Sequence, residues 1–509
     1  MLARLASEAR LIRRFVDESP PLSRQRFAFL AVVTALALAS VVASVARPLV
    51  CPFGQGCPSA GFVPALPPPL VVGALWALVV ALALTTRRLP APEGRAQLVP
   101  RPATVLVAAG LGLGIALVAA HAFLASPLVS NPPCGTNIRL GGGLGYVYNN
   151  CDSPEFVRDA ADPSRLLAKR SIRQARPALI VVAAGVSQTV GRAVFATPLP
   201  RLYSLATPED FAYVLLNLLI AAGSIALFLR LVPFGLAAVA AAAWIAFDDV
   251  VKAFFWTPHT QLFNLLVPVL SIAVARAVLV DPRLRRPLVL GGIGLGLGML
   301  ALAYGSFIVT GAAAGVAFLL GARRQPAAQM LVGAGALAVG FVLPNLLWIG
   351  LCLAVAGSFY VHETRKYWEF TWAAHTAQHG VAAFARYWWS VTVLELQATL
   401  PTVAPAAMAT LVAWLAAIAT GTRVAAAQVP TMVASFLVLA LSVGFLDLLG
   451  FYASRISYML VPVLIVILVG LVAALKDRRR HLGQALEGLI VLAAVVNALV
   501  VVLRHGPYS

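Results

Sequence analysis

Apolar runs close to the length of a membrane span recur from residue 27 to residue 503. A helix needs about 20 apolar residues to cross the ~30 Å hydrocarbon core, and a soluble core has no use for a dozen of them. The runs are rich in Ala, Leu and Val and lack the alternation of lipid-facing strands, which excludes an outer-membrane barrel. With 61% hydrophobic and 11% charged residues, the chain is expected to be an all-α polytopic membrane protein with thirteen transmembrane helices. They are read at 27–46, 69–86, 103–124, 211–232, 235–247, 262–279, 288–305, 307–321, 330–356, 402–420, 428–447, 457–475 and 484–503.

The formal charge of +19 comes from bases at the ends of these runs. They are not clustered with aromatics, so nucleic acid is not expected as a partner; the pattern is that of the positive-inside rule. Loops 87–101, 281–287, 321–325 and 476–480 are accordingly expected in the cytoplasm, and thirteen spans from a cytoplasmic N-terminus satisfy all of them. Residues 1–26 carry Arg4, Arg10, Arg13, Arg14, Arg24 and Arg26 and read as a basic amphipathic cytoplasmic helix, not a cleavable signal. Lys is rare beside Arg, which suggests a GC-rich genome and hence a bacterial cytoplasmic membrane. The run 178–190 stands outside the count. It is short, holds Ser187 and Gln188, lies between Arg176 and Arg192, and is read as a re-entrant or interfacial helix.

Cys51 and Cys57 share one loop, Cys134 and Cys151 another, and Cys352 lies inside a span. Two within-loop pairs fit disulfides in an oxidising compartment, with free thiols or a metal pair as the alternative reading. The chain divides into a cytoplasmic segment 1–26, a transmembrane hairpin 27–102, a module 103–280 with an extracytoplasmic loop 125–208, and spans 281–509 with an extracytoplasmic loop 357–401.

Residues 149–177 hold four acids and six bases in an otherwise apolar chain. Ser153-Pro154-Glu155 signals the start of one surface helix and Asp162-Pro163 of a second. The glycine-rich stretch before them, RLGGGLGYVYNN, is expected to be flexible and not a nucleotide loop. Asp152, between Cys151 and the first helix, is the candidate catalytic carboxylate, with capping as its other reading. Arg170, Arg173 and Arg176 are candidates to grip a phosphate or pyrophosphate by forked hydrogen bonds, or to anchor to anionic lipid. Glu155 and Arg158 join them as substrate-binding candidates.

A second outer region, 248–261, carries Asp248 and Asp249 at the end of a span, followed by Trp256, His259 and Gln261. Such a carboxylate pair with a His suits proton transfer or a divalent cation. The third region holds His362, Glu363, Arg365, Lys366, Glu369, His375 and His379 among aromatics, a composition suited to sugars, with His362 and Glu363 taken as substrate-binding. Its HTAQH run lacks the Glu of a zinc-protease motif.

This layout resembles the integral-membrane glycosyltransferases of the GT-C class. CDSPEFVRDAADPSRLL is similar to their long first outer loop with its key Asp and juxtamembrane helices. FDDVVKAFFWTPHTQLFN is similar to their second acidic position, and RQARPALIVVAAG to the Pro-containing return into the bundle. The likeness covers roughly residues 103–280. It departs in the hairpin that precedes the Asp loop, and in the distance of Asp152 from the preceding span, so Asp159 or Asp162 are alternatives for the base. The resemblance implies a sugar donor linked to polyprenyl phosphate, a glycan or lipid acceptor at the cell envelope, and a general-base Asp. It also implies arginines that stabilise the departing phosphate. A transporter or lipid flippase, drawing on Asn217, Glu395, Gln397 and Asp447, is the main alternative; an O-antigen polymerase or ligase-like transferase built around 357–401 is another.

Overall fold

A computed structural model describes residues 137–141, 144–147, 152–197, 207–255, 257–450 and 453–503. The expected spans 27–46, 69–86 and 103–124 lie outside the described residues, as do Cys51, Cys57, Cys134, Cys151 and Trp256. The described chain is helical except for one antiparallel hairpin, β1 (Asn137–Gly141) and β2 (Leu144–Val147). That hairpin occupies the stretch expected to be flexible.

The helices in chain order are α1 (Ser153–Ala161), α2 (Pro177–Phe195), α3 (Pro208–Leu231), α4 (Leu236–Ala246), α5 (Asp249–Phe254), α6 (Phe263–Val280), α7 (Pro287–Ala301) and α8 (Phe307–Ala322). They continue as α9 (Ala327–Ala356), α10 (His362–Tyr367), α11 (Trp372–Ala377), α12 (Val381–Ala419), α13 (Ala426–Leu449), α14 (Ser457–Arg478) and α15 (Arg480–Leu503). Eight of the described helices are long and apolar enough to cross a membrane: α2, α3, α6, α9, α12, α13, α14 and α15. The expected spans at 235–247, 288–305 and 307–321 form α4, α7 and α8, each of 17 residues or fewer.

Two expectations change in outline. The run 178–190 belongs to a helix of 19 residues, because a π turn at Ser187–Gly191 carries it on to Phe195; its length is that of a span. The Ser187 hydroxyl donates to Glu209 at 3.1 Å, and Gly191 lies so close to Pro208 that a side chain there would collide with its carbonyl. The expected loop 357–401 ends at Gly380, since α12 runs unbroken through Pro401 and Pro405 for 39 residues. Helices in lipid tolerate such prolines because neighbours re-satisfy the freed carbonyls.

Local chemistry sets the ends. Thr207 and Asp210 form a reciprocal capping box before α3, with Pro208 in the first turn. Arg285 donates to the carbonyls of Val278, Leu279 and Gly321, so one guanidinium closes the ends of both α6 and α8. Gly357 and Gly450 end α9 and α13 at φ 66° and 67°, a left-handed turn that glycine adopts without strain. Helix α14 is the axis of the bundle, with 94% of its apolar window buried, whereas α9 and α12 keep most of theirs exposed, as lipid-facing helices do. Between α7 and α9 the backbones touch: a Cβ at Gly294, Gly298 or Gly340 would collide with the facing main chain.

Candidate functional site

At one end of the bundle, turns from five separate parts of the chain meet around Asp152. Asp152 stands at the N-cap position of α1, one residue before the expected Ser153, yet its side chain makes no capping bond. It turns instead to Arg173, whose Nη2 lies 2.6 Å away, and to His259, whose Nε2 lies 3.5 Å away. The Nδ1 of His259 accepts the backbone N–H of Gln261 at 3.1 Å, so the ring proton sits on Nε2 and points at the carboxylate. Phe156, fully buried, packs its ring under the Arg173 guanidinium at 4.5 Å and edge-on to His259 at 5.4 Å. Its carbonyl is fixed by the Tyr213 hydroxyl of α3 at 3.2 Å.

Exposure separates the members. The Asp152 side chain is 44% exposed, while those of Arg173 and His259 are 4% and 6% exposed. Burial pushes the Asp152 carboxyl up, but the His259 hydrogen bond and the Arg173 charge outweigh it and hold the group well below the usual carboxylate range. Burial pushes His259 down to about 4 despite the attraction of Asp152, so at neutral pH it is an uncharged donor. Arg173 also reaches Glu155 at 3.6 Å, and its buried Nε has no hydrogen-bond partner.

A second group adjoins the first. Arg176, at the start of α2, pairs with Glu363 of α10 at 3.0 Å. The Tyr304 hydroxyl, in the turn between α7 and α8, lies 2.7 Å from Gln261 Oε1 and 2.9 Å from Asn264 Oδ1. Burial drives that phenol up to about 12, so it stays a donor. Arg176 lies within electrostatic reach of Glu363, Tyr304, Glu369 and Asp152 together, and these outweigh the effect of its burial and raise its pKa. The turn that presents Arg173 and Arg176 is locked by Gln174, fully buried between them. Its amide donates to Leu166 O at 3.2 Å and accepts Tyr360 N–H at 2.7 Å, and its carbonyl accepts Trp348 Nε1–H at 2.7 Å.

Of the residues expected at the site, Asp152, Glu155, Arg173, Arg176, His259, Gln261 and Glu363 come together. Others do not. Arg158 turns back to the Pro154 carbonyl, and Arg170 is exposed at φ 61°. The arginines at intervals of three stand on turns, not on one helical face, so only two reach the cluster. Asp248 begins rather than ends a helix: its carboxylate caps α5 through Val250 N–H at 2.8 Å, on the side facing Tyr458. Asp249 is the first residue of that helix. His362 bonds the Tyr360 hydroxyl at 3.1 Å. Of the alternative bases, Asp159 pairs with Arg165 at 3.1 Å, and Asp162 caps the single 3-10 turn Pro163–Leu167 that replaces the expected second surface helix. His375 stacks on Trp368 at 4.1 Å and meets His379 edge-on, and no cluster of three or more metal-ligating side chains occurs among the described residues.

Gln174, Asn264 and Tyr304 were not expected at the site, and Glu369 was expected only as one of the polar residues of the third outer region. Tyr304 had a visible signal, the Tyr-Gly-Ser break between two apolar runs. The arrangement offers an ionised, partly exposed carboxylate, one buried and one half-buried guanidinium, a neutral imidazole and a phenol donor. No family model and no curated protein matches the chain.

Proposed function

We propose that the chain is a membrane glycosyltransferase that moves a sugar from a polyprenyl-phosphate donor to a cell-envelope glycan or lipid acceptor. The reaction takes place at the extracytoplasmic face of a bacterial cytoplasmic membrane. The observation that carries this reading is the contrast at Asp152: an ionised carboxylate left open beside a guanidinium and an imidazole that are both buried. In the proposed reaction the acceptor oxygen forms a bond to the anomeric carbon and gives its proton to Asp152. The bond from that carbon to the phosphate oxygen breaks, and polyprenyl phosphate leaves with the electron pair. Arg173 and Arg176 then face the phosphate as its charge grows.

While Arg173 holds Asp152, the carboxylate is a weak base. A phosphate that draws Arg173 away raises its basicity as the donor is seated. Asp152→Asn is expected to abolish sugar transfer while leaving membrane insertion intact; an unimpaired variant overturns the assignment. A divalent cation is not required by this scheme.

One observation favours the flippase or transporter reading. Glu395 of α12 and Asp447 of α13 lie within electrostatic reach of each other on helices long enough to cross, and Asp447 accepts from Trp388 Nε1 at 2.7 Å and Thr392 Oγ1 at 2.8 Å. Intramembrane carboxyl groups of this kind serve proton-coupled movement. Loss of lipid-linked sugar translocation in Glu395→Gln, with transfer on preloaded outer-leaflet donor preserved, is the outcome that reading requires.

A further inference from the structure

His375 and His379 take no part in the Asp152 cluster, and the sequence sets them one helical turn apart. No other two of the chain's seven histidines stand on adjacent turns. His375 lies in α11, its N–H donating to Thr371 O at 2.9 Å. His379 lies in the turn that follows, its N–H donating to Thr376 O at 3.0 Å. Both residues are exposed. Their ring centres are 5.4 Å apart and their planes cross at 83°.

That separation has a chemical meaning. An imidazole nitrogen binds Zn2+ at about 2.1 Å, which puts the ring centre about 3.2 Å from the ion. Two imidazoles at the tetrahedral angle then have centres about 5.2 Å apart, close to the distance observed.

The pair is also held in place. Trp368 stacks on His375 at 4.1 Å, with the two planes 29° apart. Trp368 and Phe370 both have left-handed backbone, at φ 59° and 60°, which bulky residues adopt only where the surroundings impose it. Here the surroundings are in α13: Phe370 packs on Phe445, and Trp372 Nε1 donates to Leu448 O at 2.9 Å. The strained turn sets Trp368 against His375 and removes motion that a bound ion would otherwise have to freeze.

We infer that His375 and His379 form a binding site for a divalent ion of the zinc, nickel and copper class, with both imidazoles as ligands and the remaining positions left to water. Imidazole selects this class, whereas Mg2+ and Ca2+ prefer oxygen. Two protein ligands, fewer than the three or four of catalytic and structural zinc sites, make the ion exchangeable. When bound, it joins the end of α11 to the turn that leads into α12. The site is separate from the sugar-transfer reading and does not depend on it.

The test is titration of the full-length protein in detergent, without an affinity tag and freed of metal by a chelator. Zn2+ binding is read by calorimetry and by thermal unfolding, and Cu2+ coordination by electron paramagnetic resonance. Wild type is expected to bind one Zn2+, to unfold at a temperature that rises with Zn2+ concentration, and to give a Cu2+ spectrum with two imidazole nitrogens. His375→Ala and His379→Ala should each lose the Zn2+ effects while remaining folded without metal. If His375→Ala disturbs the Trp368 stack, His379→Ala in the exposed turn carries the test. Mg2+ should have no effect on any of the three proteins. Zn2+ bound equally by wild type and His379→Ala is an adventitious ion only and overturns the inference. So does a folded wild type that binds no Zn2+, or a Cu2+ spectrum with a single imidazole nitrogen.

Discussion

His259 donates its Nε2–H to Asp152 across 3.5 Å while its Nδ1 accepts the Gln261 N–H at 3.1 Å, so the imidazole is committed to the neutral form. Protonation at Nδ1 would set two N–H groups against each other. Its folded value of about 4 lies below the unfolded 6.5. The unfolded chain therefore binds more protons between these values, and stability is present above pH 6.5 and lost as pH falls towards 4. The loss amounts to about 3 kcal/mol for this buried ring. Thermal unfolding in detergent should show the acid decline, and His259→Gln should flatten it.

Arg173→Gln should raise the Asp152 carboxyl from its depressed value, with the His259 hydrogen bond still holding it down, and remove one of the two proposed phosphate contacts. Transfer is expected to fall by about a hundredfold or more, the scale of losing one charge-stabilising group. Activity against pH reads out the difference from a packing defect: the acid limb should move up, towards the usual carboxylate range. A limb that stays in place would show that Arg173 does not set the state of Asp152.

Gln174→Ala should cost about 2–4 kcal/mol, because it strips the Tyr360 N–H of its buried acceptor and leaves a void beneath Arg173 and Arg176. Unfolding temperature and phosphodiester binding should fall together. A stable variant with intact binding would mean that the turn is held by other contacts.

Glu369→Gln should stabilise the protein at high pH. The wild-type carboxyl is raised from 4.5 to about 7, so the folded state binds the extra proton and stability falls as pH rises through that window. The variant escapes this penalty of about 3 kcal/mol, and its unfolding temperature should exceed that of wild type at pH 8.5 but match it at pH 4.5.

Sidedness is open to a direct measurement. With the native cysteines replaced, Arg324→Cys in the exposed turn between α8 and α9 should be labelled only from the cytoplasmic side. Labelling from outside would mean that α2 crosses the membrane and inverts everything after it.

Much of the bundle was legible because the bilayer enforces one rule: every described apolar run became a helix. Helix ends were less so. Pro401 and Pro405 would break a helix in water, and α12 ignores both. Asp152 and His259 stood out as polar residues in apolar surroundings, and the structure joins them. The Asp248–Asp249 pair stood out equally, but Asp248 is satisfied two residues away by Val250, a local bond that mimics a functional signal. Tyr304 and Glu369 were invisible as partners because their environment is made by turns more than 60 residues apart, which no spacing rule encodes. The strain at Trp368 and Phe370 is a property of backbone angles and leaves no trace in residue type.

Helix α7 has 15 residues and so spans ~22 Å, against ~30 Å of hydrocarbon. Its first end is set by the Arg283–Arg286 turn, and its last is stitched to α2 through Leu302 O and Ala178 N–H at 3.3 Å. Helical hydrogen bonding carries on to Tyr304, whose N–H donates to Leu300 O at 3.0 Å, so with the basic turn at one face of the bilayer Tyr304 stands about 26 Å from it, close to the opposite boundary of the hydrocarbon. On that placement the polar cluster lies where hydrocarbon gives way to headgroups. At that level the phosphate end of an amphiphile meets the cluster without its tail leaving the leaflet.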